Sequence, residues 1–241
     1  MKPVEQAAHD ILSVLEATYQ PTHDYVAADA KAFRHLDIAW YDRMTHLLSG
    51  QGYRMLADVE DRTITNTPGG VLRPVLIRAM VSRDGTVMVA LYHPRLKPLL
   101  IRFLLWVLRK TPGKVVDMET ECSDGTFVVT SNAASAAAID LPALISVEYL
   151  PETTSAVDVA QRHATRLAAH LAARIGVTAR VVQTHEALVA SQNRLNALKA
   201  VYRTEVGGIT KAELDRLALI GRSRTGDVHD SITREQLRRA G

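Results

Sequence analysis

The chain has 241 residues, 47% hydrophobic and 23% charged, with a net charge of +3 and 5% aromatic residues. These values suit a globular protein and exclude a disordered or collagen-like chain. The mild basic excess lacks the clustered Lys, Arg and aromatic residues of a nucleic-acid binder, and the lone Cys122 excludes an internal disulfide and a multi-cysteine metal site.

The opening stretch, MKPVEQAAHD, has no apolar signal-peptide core, so a cytoplasmic protein is expected. Val4, Ala7, Ala8, Ile11, Leu12, Val14 and Leu15 recur at helical spacing and predict a helix over 3–19, which Pro21 ends. A second helix is expected from about Asp29 to Leu48, stopped by Ser49-Gly50-Gln51-Gly52. The period then changes. Tyr53 to Glu60 reads as a strand, and Thr63 to Gly70 as a loop broken at Pro68-Gly69-Gly70. Val75–Ser82 and Thr86–Tyr92 read as two strands across Arg83-Asp84-Gly85, a hairpin signal.

Pro98 to Lys110, PLLIRFLLWVLRK, is the most apolar run in the chain. Pro98 suits a first helical turn, Arg109 and Lys110 suit a last one, and Thr111-Pro112-Gly113 stops the helix. Apolar residues fill the circumference except for the Arg102–Arg109 stripe, so a buried central helix is expected. The run falls short of the about 20 apolar residues that a membrane span needs. It also lacks the wide polar face of an interfacial anchor, so membrane attachment is not expected.

A second hairpin follows, with Lys114–Cys122 and Thr126–Ser131 flanking Ser123-Asp124-Gly125. Its likeness to the first marks either a duplicated unit or shared turn chemistry. Asn132 to Pro142 reads as a small-residue loop and Leu144 to Tyr149 as another strand. A helix is expected from Ala156 to Ile175, with Ser155 and Asp158 at its start and Gly176 at its end. Val177 to Val182 is a short strand or extended link. Thr184 then caps a helix running to about Thr204, whose narrow set Leu188, Leu195, Leu198 and Tyr202 resembles a helix-pair seam. That seam is where a homodimer or protein partner would bind through helix 184–204. Thr210 and Glu213 form a capping box for a helix to Leu219. Gly221 to Asp230 reads as polar, basic and mobile, with a last helical turn near Thr233.

The pattern argues an α+β fold: a mainly antiparallel sheet of about five to seven strands on a central apolar helix, with N-terminal and C-terminal helices. Residues 1–182 are expected to form the core domain, with N-terminal helices in 3–48, the sheet region in 53–150 and a helix over 156–175. Residues 183–241 would be a helical extension with a mobile basic tail.

Candidate chemistry is acidic. Asp117, Glu119 and Glu121 alternate along one strand and so share a face, and Asp58, Glu60 and Asp61 end an earlier strand. Were the two strands neighbours, the carboxylates could serve a metal- or carboxylate-dependent hydrolase. The plainer reading is a solvated strand face, with Val116, Met118, Thr120 and Cys122 turned to the core. His93, Tyr92 and Trp106 are candidates to line a pocket for a small apolar ligand. No Gly-x-Ser-x-Gly elbow, His-Glu-x-x-His motif or glycine-rich phosphate loop occurs, so no cofactor or resident metal is expected. The leading expectation is a non-enzymatic ligand-binding or protein-interaction module, followed by the hydrolase and then by a peripheral membrane protein.

Overall fold

The computed structural model describes residues 18–67, 72–95, 113–217 and 225–240, together with 12, 15 and 16. The expected central helix over 98–110, with Trp106, lies outside the described residues, as do Pro68-Gly69-Gly70 and most of the helix over 3–19.

Seven strands form one sheet in strict chain order: β1 (Tyr25–Ala27), β2 (Tyr53–Asp61), β3 (Leu76–Ser82), β4 (Met88–Tyr92), β5 (Val115–Glu121), β6 (Phe127–Ser131) and β7 (Ile145–Tyr149). Every neighbouring pair is antiparallel except β6–β7, which is parallel. The antiparallel order follows from the hairpins. In each, an Asp side chain accepts from the Thr two residues on, Asp84 from the Thr86 amide at 3.0 Å and Asp124 from the Thr126 amide at 3.1 Å. Gly85 takes φ +78°, and a Cβ there would lie 2.9 Å from the Val181 side chain. Glycine is thus required twice over at that turn, by backbone conformation and by close approach.

Six helices occur among the described residues: α1 (Ile38–Ser49), α2 (Arg62–Thr65), α3 (Ala156–Ala172), α4 (His185–Glu205), α5 (Lys211–Leu217) and α6 (Thr225–Ala240). Their starts are capped by side chains, Asp37 for α1, Asp61 for α2, Ser155 for α3 and Thr184 for α4. The capping box before α5 is complete: Thr210 Oγ1 accepts from the Glu213 amide at 3.2 Å, and Glu213 Oε2 accepts from the Thr210 amide at 2.7 Å.

The helices cover both faces of the sheet. On one face, Trp40, Tyr41 and Leu48 of α1 and Val159 of α3 pack against Leu76, Met80, Leu91 and Met118. This is the main core, and each large apolar side chain buried there contributes about 1.5–3 kcal/mol. On the opposite face Leu188 of α4 packs with Ala79 and Met88, and Leu195 with Phe127, Val129 and Ile145. The link before α4 is extended. It straps both hairpin turns, with the Val182 amide donating to the Gly85 carbonyl at 2.8 Å and the Ser123 amide to the Thr178 carbonyl at 2.8 Å.

Four local expectations change. The helix expected from Asp29 is interrupted: Ala30–Ala32 is a 3-10 turn capped by Asp29, and α1 starts only after Asp37. Two capping aspartates eight residues apart make two starts where apolar spacing suggests one. The stretch expected to be mobile, 221–230, enters α6 at Thr225, and Val228 and Ile232 pack with Ile209 and Leu214. β1 is a three-residue strand without a sequence signal of its own, and its pairing with the end of β2 creates it. The leucine seam of α4 is covered by this chain's own sheet, so it gives no ground for a dimer.

Candidate functional site

Strand alternation sorts the acids between the two faces. Asp58 lies opposite Arg78 in the ladder, on the α1 face. Arg78 donates to Asp58 at 2.8 and 2.9 Å and to Asp42 of α1 at 2.7 Å. These carboxylates hold the Arg78 guanidinium above its ordinary pKa. Glu60, two residues on, lines an open cleft of about 590 Å³ with His35, Arg62 and Arg73.

Asp117, Glu119 and Glu121 occupy the other face, beneath α4. The five acids therefore do not share a surface. β3 and β4 intervene between β2 and β5, and the register turns Asp58 and Glu60 the opposite way. A hydrolase built on their convergence loses its geometry. Among the described residues, no group of three or more His, Cys, Asp or Glu side chains is placed to hold a metal ion. The plainer expectation also changes, because Glu119 and Glu121 are buried under a helix and not solvated.

The acids beneath α4 are held differently from one another. Glu121 is fully matched: it accepts from Ser191 at 2.8 Å and from Arg194 twice at 2.7 Å, with Arg180 at 3.3 Å. Glu119 accepts from the Gln192 amide. Asp117 accepts from the Tyr92 hydroxyl at 2.7 Å, while its Oδ1 is shielded and without a hydrogen bond. Burial, and then the neighbouring Glu119, push the Asp117 carboxyl up to about 6. The hydroxyls of Ser131, its cross-strand partner, and Tyr92 act as hydrogen-bonding neighbours that lower it, and Lys199 of α4 lowers it further. Tyr92 is raised well above its ordinary range by burial and by Asp117, and Tyr149 is raised to about 12 for the same reasons.

A second polar group on this face has no sequence signal. His23 Nδ1 donates to Asp61 Oδ2 at 2.6 Å, and both side chains are buried. Asp61 pairs with Tyr25 in the ladder, and the His23 ring stacks on Tyr25 at 5.8 Å between centroids. His23 Nε2 is buried and has no hydrogen-bond partner. With Nδ1–H directed at the Asp61 carboxylate, Nε2 is left to pair with a group outside this contact.

One stretch of α4 joins the two groups. Asn193 Oδ1 accepts from the His23 amide at 2.8 Å, Asn196 donates to the Tyr25 hydroxyl at 3.0 Å, and Gln192 holds Glu119. Side chains three and four apart share one helix surface, so His23, Tyr25 and the β5 acids form one polar layer. Its floor is narrow. The ladder row through Asp117 runs Ala57, Ala79, Ala90, Asp117, Ser131, Tyr149, with three alanines before the first acid.

The remaining candidates fall elsewhere. His93 follows Tyr92 and by alternation faces the α1 layer. It is buried, its Nδ1 has no partner, and burial, then Arg95 and Lys114, push it down to about 4. Trp106 lies outside the described residues. Thr130 and Asn132 serve structure. Asn132 Oδ1 accepts from the Val116 amide at 2.8 Å, and Thr130 Oγ1 meets His163 Nδ1 at 3.1 Å. His163 also meets Thr120 at 3.1 Å through Nε2, and burial, then Arg166, push it down to about 4. Cys122 is buried and its thiol is raised by burial, so it is no nucleophile.

Among the described residues no helix is long and apolar enough to cross a membrane. No family model, curated protein or solved structure matches the chain.

Proposed function

We propose that this chain is a small-molecule-binding module whose site is the polar layer between the sheet and α4. One observation carries the reading: two shielded polar atoms of that layer, His23 Nε2 and Asp117 Oδ1, have no hydrogen-bond partner. Native proteins pair nearly all buried polar groups, and each unpaired one costs about 1–3 kcal/mol. A ligand that reaches either atom would supply the missing hydrogen bond. Asp117 is only partly buried.

Among the described residues no nucleophilic Ser, Thr or Cys meets the His23–Asp61 pair, and binding is therefore favoured over hydrolysis. The pair orients the imidazole ring.

Thermal denaturation with a panel of small ammonium, carboxylate, phosphate and neutral polyol compounds tests the proposal. A compound at a hundred times its Kd adds about 2.7 kcal/mol, or roughly 5–10 °C in Tm for a chain of this size. The expected result is such a shift from one class, lost in His23→Phe. No shift from any class, or shifts retained in that variant, would remove the site.

A further inference from the structure

Glu60 stands on the α1 side of β2 and lines the cleft of about 590 Å³ beside the edge strand β1. Three segments wall this cleft: the turn after β1, the end of β2 and the approach to β3. Their backbones are tied down. The Ala28 amide donates to the Asp58 carbonyl at 2.9 Å, the Arg62 amide to the Asp24 carbonyl at 2.9 Å, and the Arg73 amide to the Arg95 carbonyl at 2.7 Å. His35 Nε2 donates to the Pro74 carbonyl at 2.9 Å and so joins the first wall to the third. Walls fixed in advance lower the cost of ordering a site on binding.

Arg62 and Arg73 line the same cleft as Glu60. Elsewhere in the molecule such opposite charges close on each other, as Arg78 does on Asp58 and Arg162 on Glu148. Here they do not. Among the described residues, the side chains of Glu60, Arg62 and Arg73 make no ion pair and no hydrogen bond. Arg73 is half-buried, so its charge is drawn partly out of water without a counter-ion. Asp29, the other acid of the lining, is engaged by the Lys31 amide at 2.9 Å. Ala32, Phe33 and Pro74 add apolar surface.

The complement of this lining is a molecule with a carboxylate, a cation and an aliphatic part. Guanidinium groups suit carboxylates because their planar fork can take both oxygens. A plain anion would leave Glu60 facing like charge, and a plain amine would face two arginines. We infer that the cleft binds an α-amino acid, with its carboxylate held by Arg62 and Arg73 and its ammonium group by Glu60. The volume lies within the range of about 300–1,000 Å³ usual for small-molecule sites. The cleft shares no lining residue with the α4 layer, so the two sites stand or fall separately.

Calorimetric titration of the full chain with L-leucine, L-glutamate and L-lysine is the test, each beside its analogue without the amino group and its analogue without the carboxyl. At least one amino acid is expected to bind saturably, at least tenfold tighter than either of its analogues. Arg73→Gln is expected to weaken that amino acid at least tenfold. Arg62 is exposed, so Arg62→Gln serves if the first variant does not fold. Glu60→Gln is expected to weaken the amino acid but not its analogue without the amino group, a split that general loss of structure would not produce. No saturable binding by any of the three, an analogue as tight as its parent, binding indifferent to the arginine substitutions, or equal weakening of parent and analogue by Glu60→Gln overturns the inference. So does binding that is lost in His23→Phe and kept in Arg73→Gln, which would put the amino acid in the α4 layer.

Discussion

The two faces of the sheet treat charge in opposite ways. On the α1–α3 face Asp58 and Glu148 are matched by arginines, while the buried His93 keeps its Nδ1 without a partner. Arg78 bridges Asp58 and Asp42, and Glu148 pairs with Arg162 and Arg166 at 2.8 and 3.1 Å. His163 is closed into a chain running from Arg166 through Thr130 and Thr120 to the Thr86 carbonyl. On the α4 face Glu121 is matched, but Asp117 and His23 keep atoms without partners. Matched buried charges hold a face together, whereas a buried polar atom without a partner is destabilising unless something else supplies the missing group.

The contrast can be broken most sharply at Arg78. Arg78→Leu removes the guanidinium and strands the Asp58 carboxylate, whose side chain is 10% exposed. Loss of one partner from a buried pair costs about 3–5 kcal/mol, and urea unfolding should show it. A loss under about 1 kcal/mol would mean that the α1 face is not held as described.

Acidification gives the next effect. His163 and His93 are held near 4 when folded against an ordinary value of about 6.5. The unfolded chain therefore binds more protons in that interval, so stability is fully present above about pH 6.5 and falls as pH drops toward 4. The His163 imidazole accounts for on the order of 3 kcal/mol across the whole interval, and His93 for less because solvent screens it more. Asp117 works the other way, because its folded value is raised to about 6, so its own contribution improves as pH falls through that value. Unfolding free energies at pH 7 and pH 5 should show the histidines prevailing. Stability that is flat or rises on acidification would contradict buried neutral imidazoles.

The smallest effect is the most specific to the α4 face. Asp117→Asn removes a carboxyl that burial and Glu119 keep from ionising easily. It should stabilise the ligand-free chain by about 1–2 kcal/mol at pH 8 and by nothing measurable at pH 4, where the carboxyl is already protonated. Destabilisation at pH 8 would show that Asp117 has a cation within the chain.

Much of the fold can be read along the chain. Asp84-Gly85 and Asp124-Gly125 announce their hairpins because the turn requires those residue types locally. Thr210 and Glu213 announce α5 because a capping box spans only four residues. The candidate site is half legible. Asp117 and Glu119 share a face by alternation, but His23 and Asp61 are 38 positions apart and carry no motif.

The sequence by itself therefore determined the α+β class, the two hairpins, the helix starts at Ser155, Thr184 and Thr210, and the grouping of Asp117, Glu119 and Glu121 on one side of a strand. All of these depend on residues within a few positions of one another. Only the tertiary structure decided that α4 would cover that side, that β3 and β4 would keep Asp58 and Glu60 away from it, and that His23 would lean on Asp61 there. Such outcomes depend on how loops set strand order and which apolar face each helix buries, and both are summed over contacts distant in the chain.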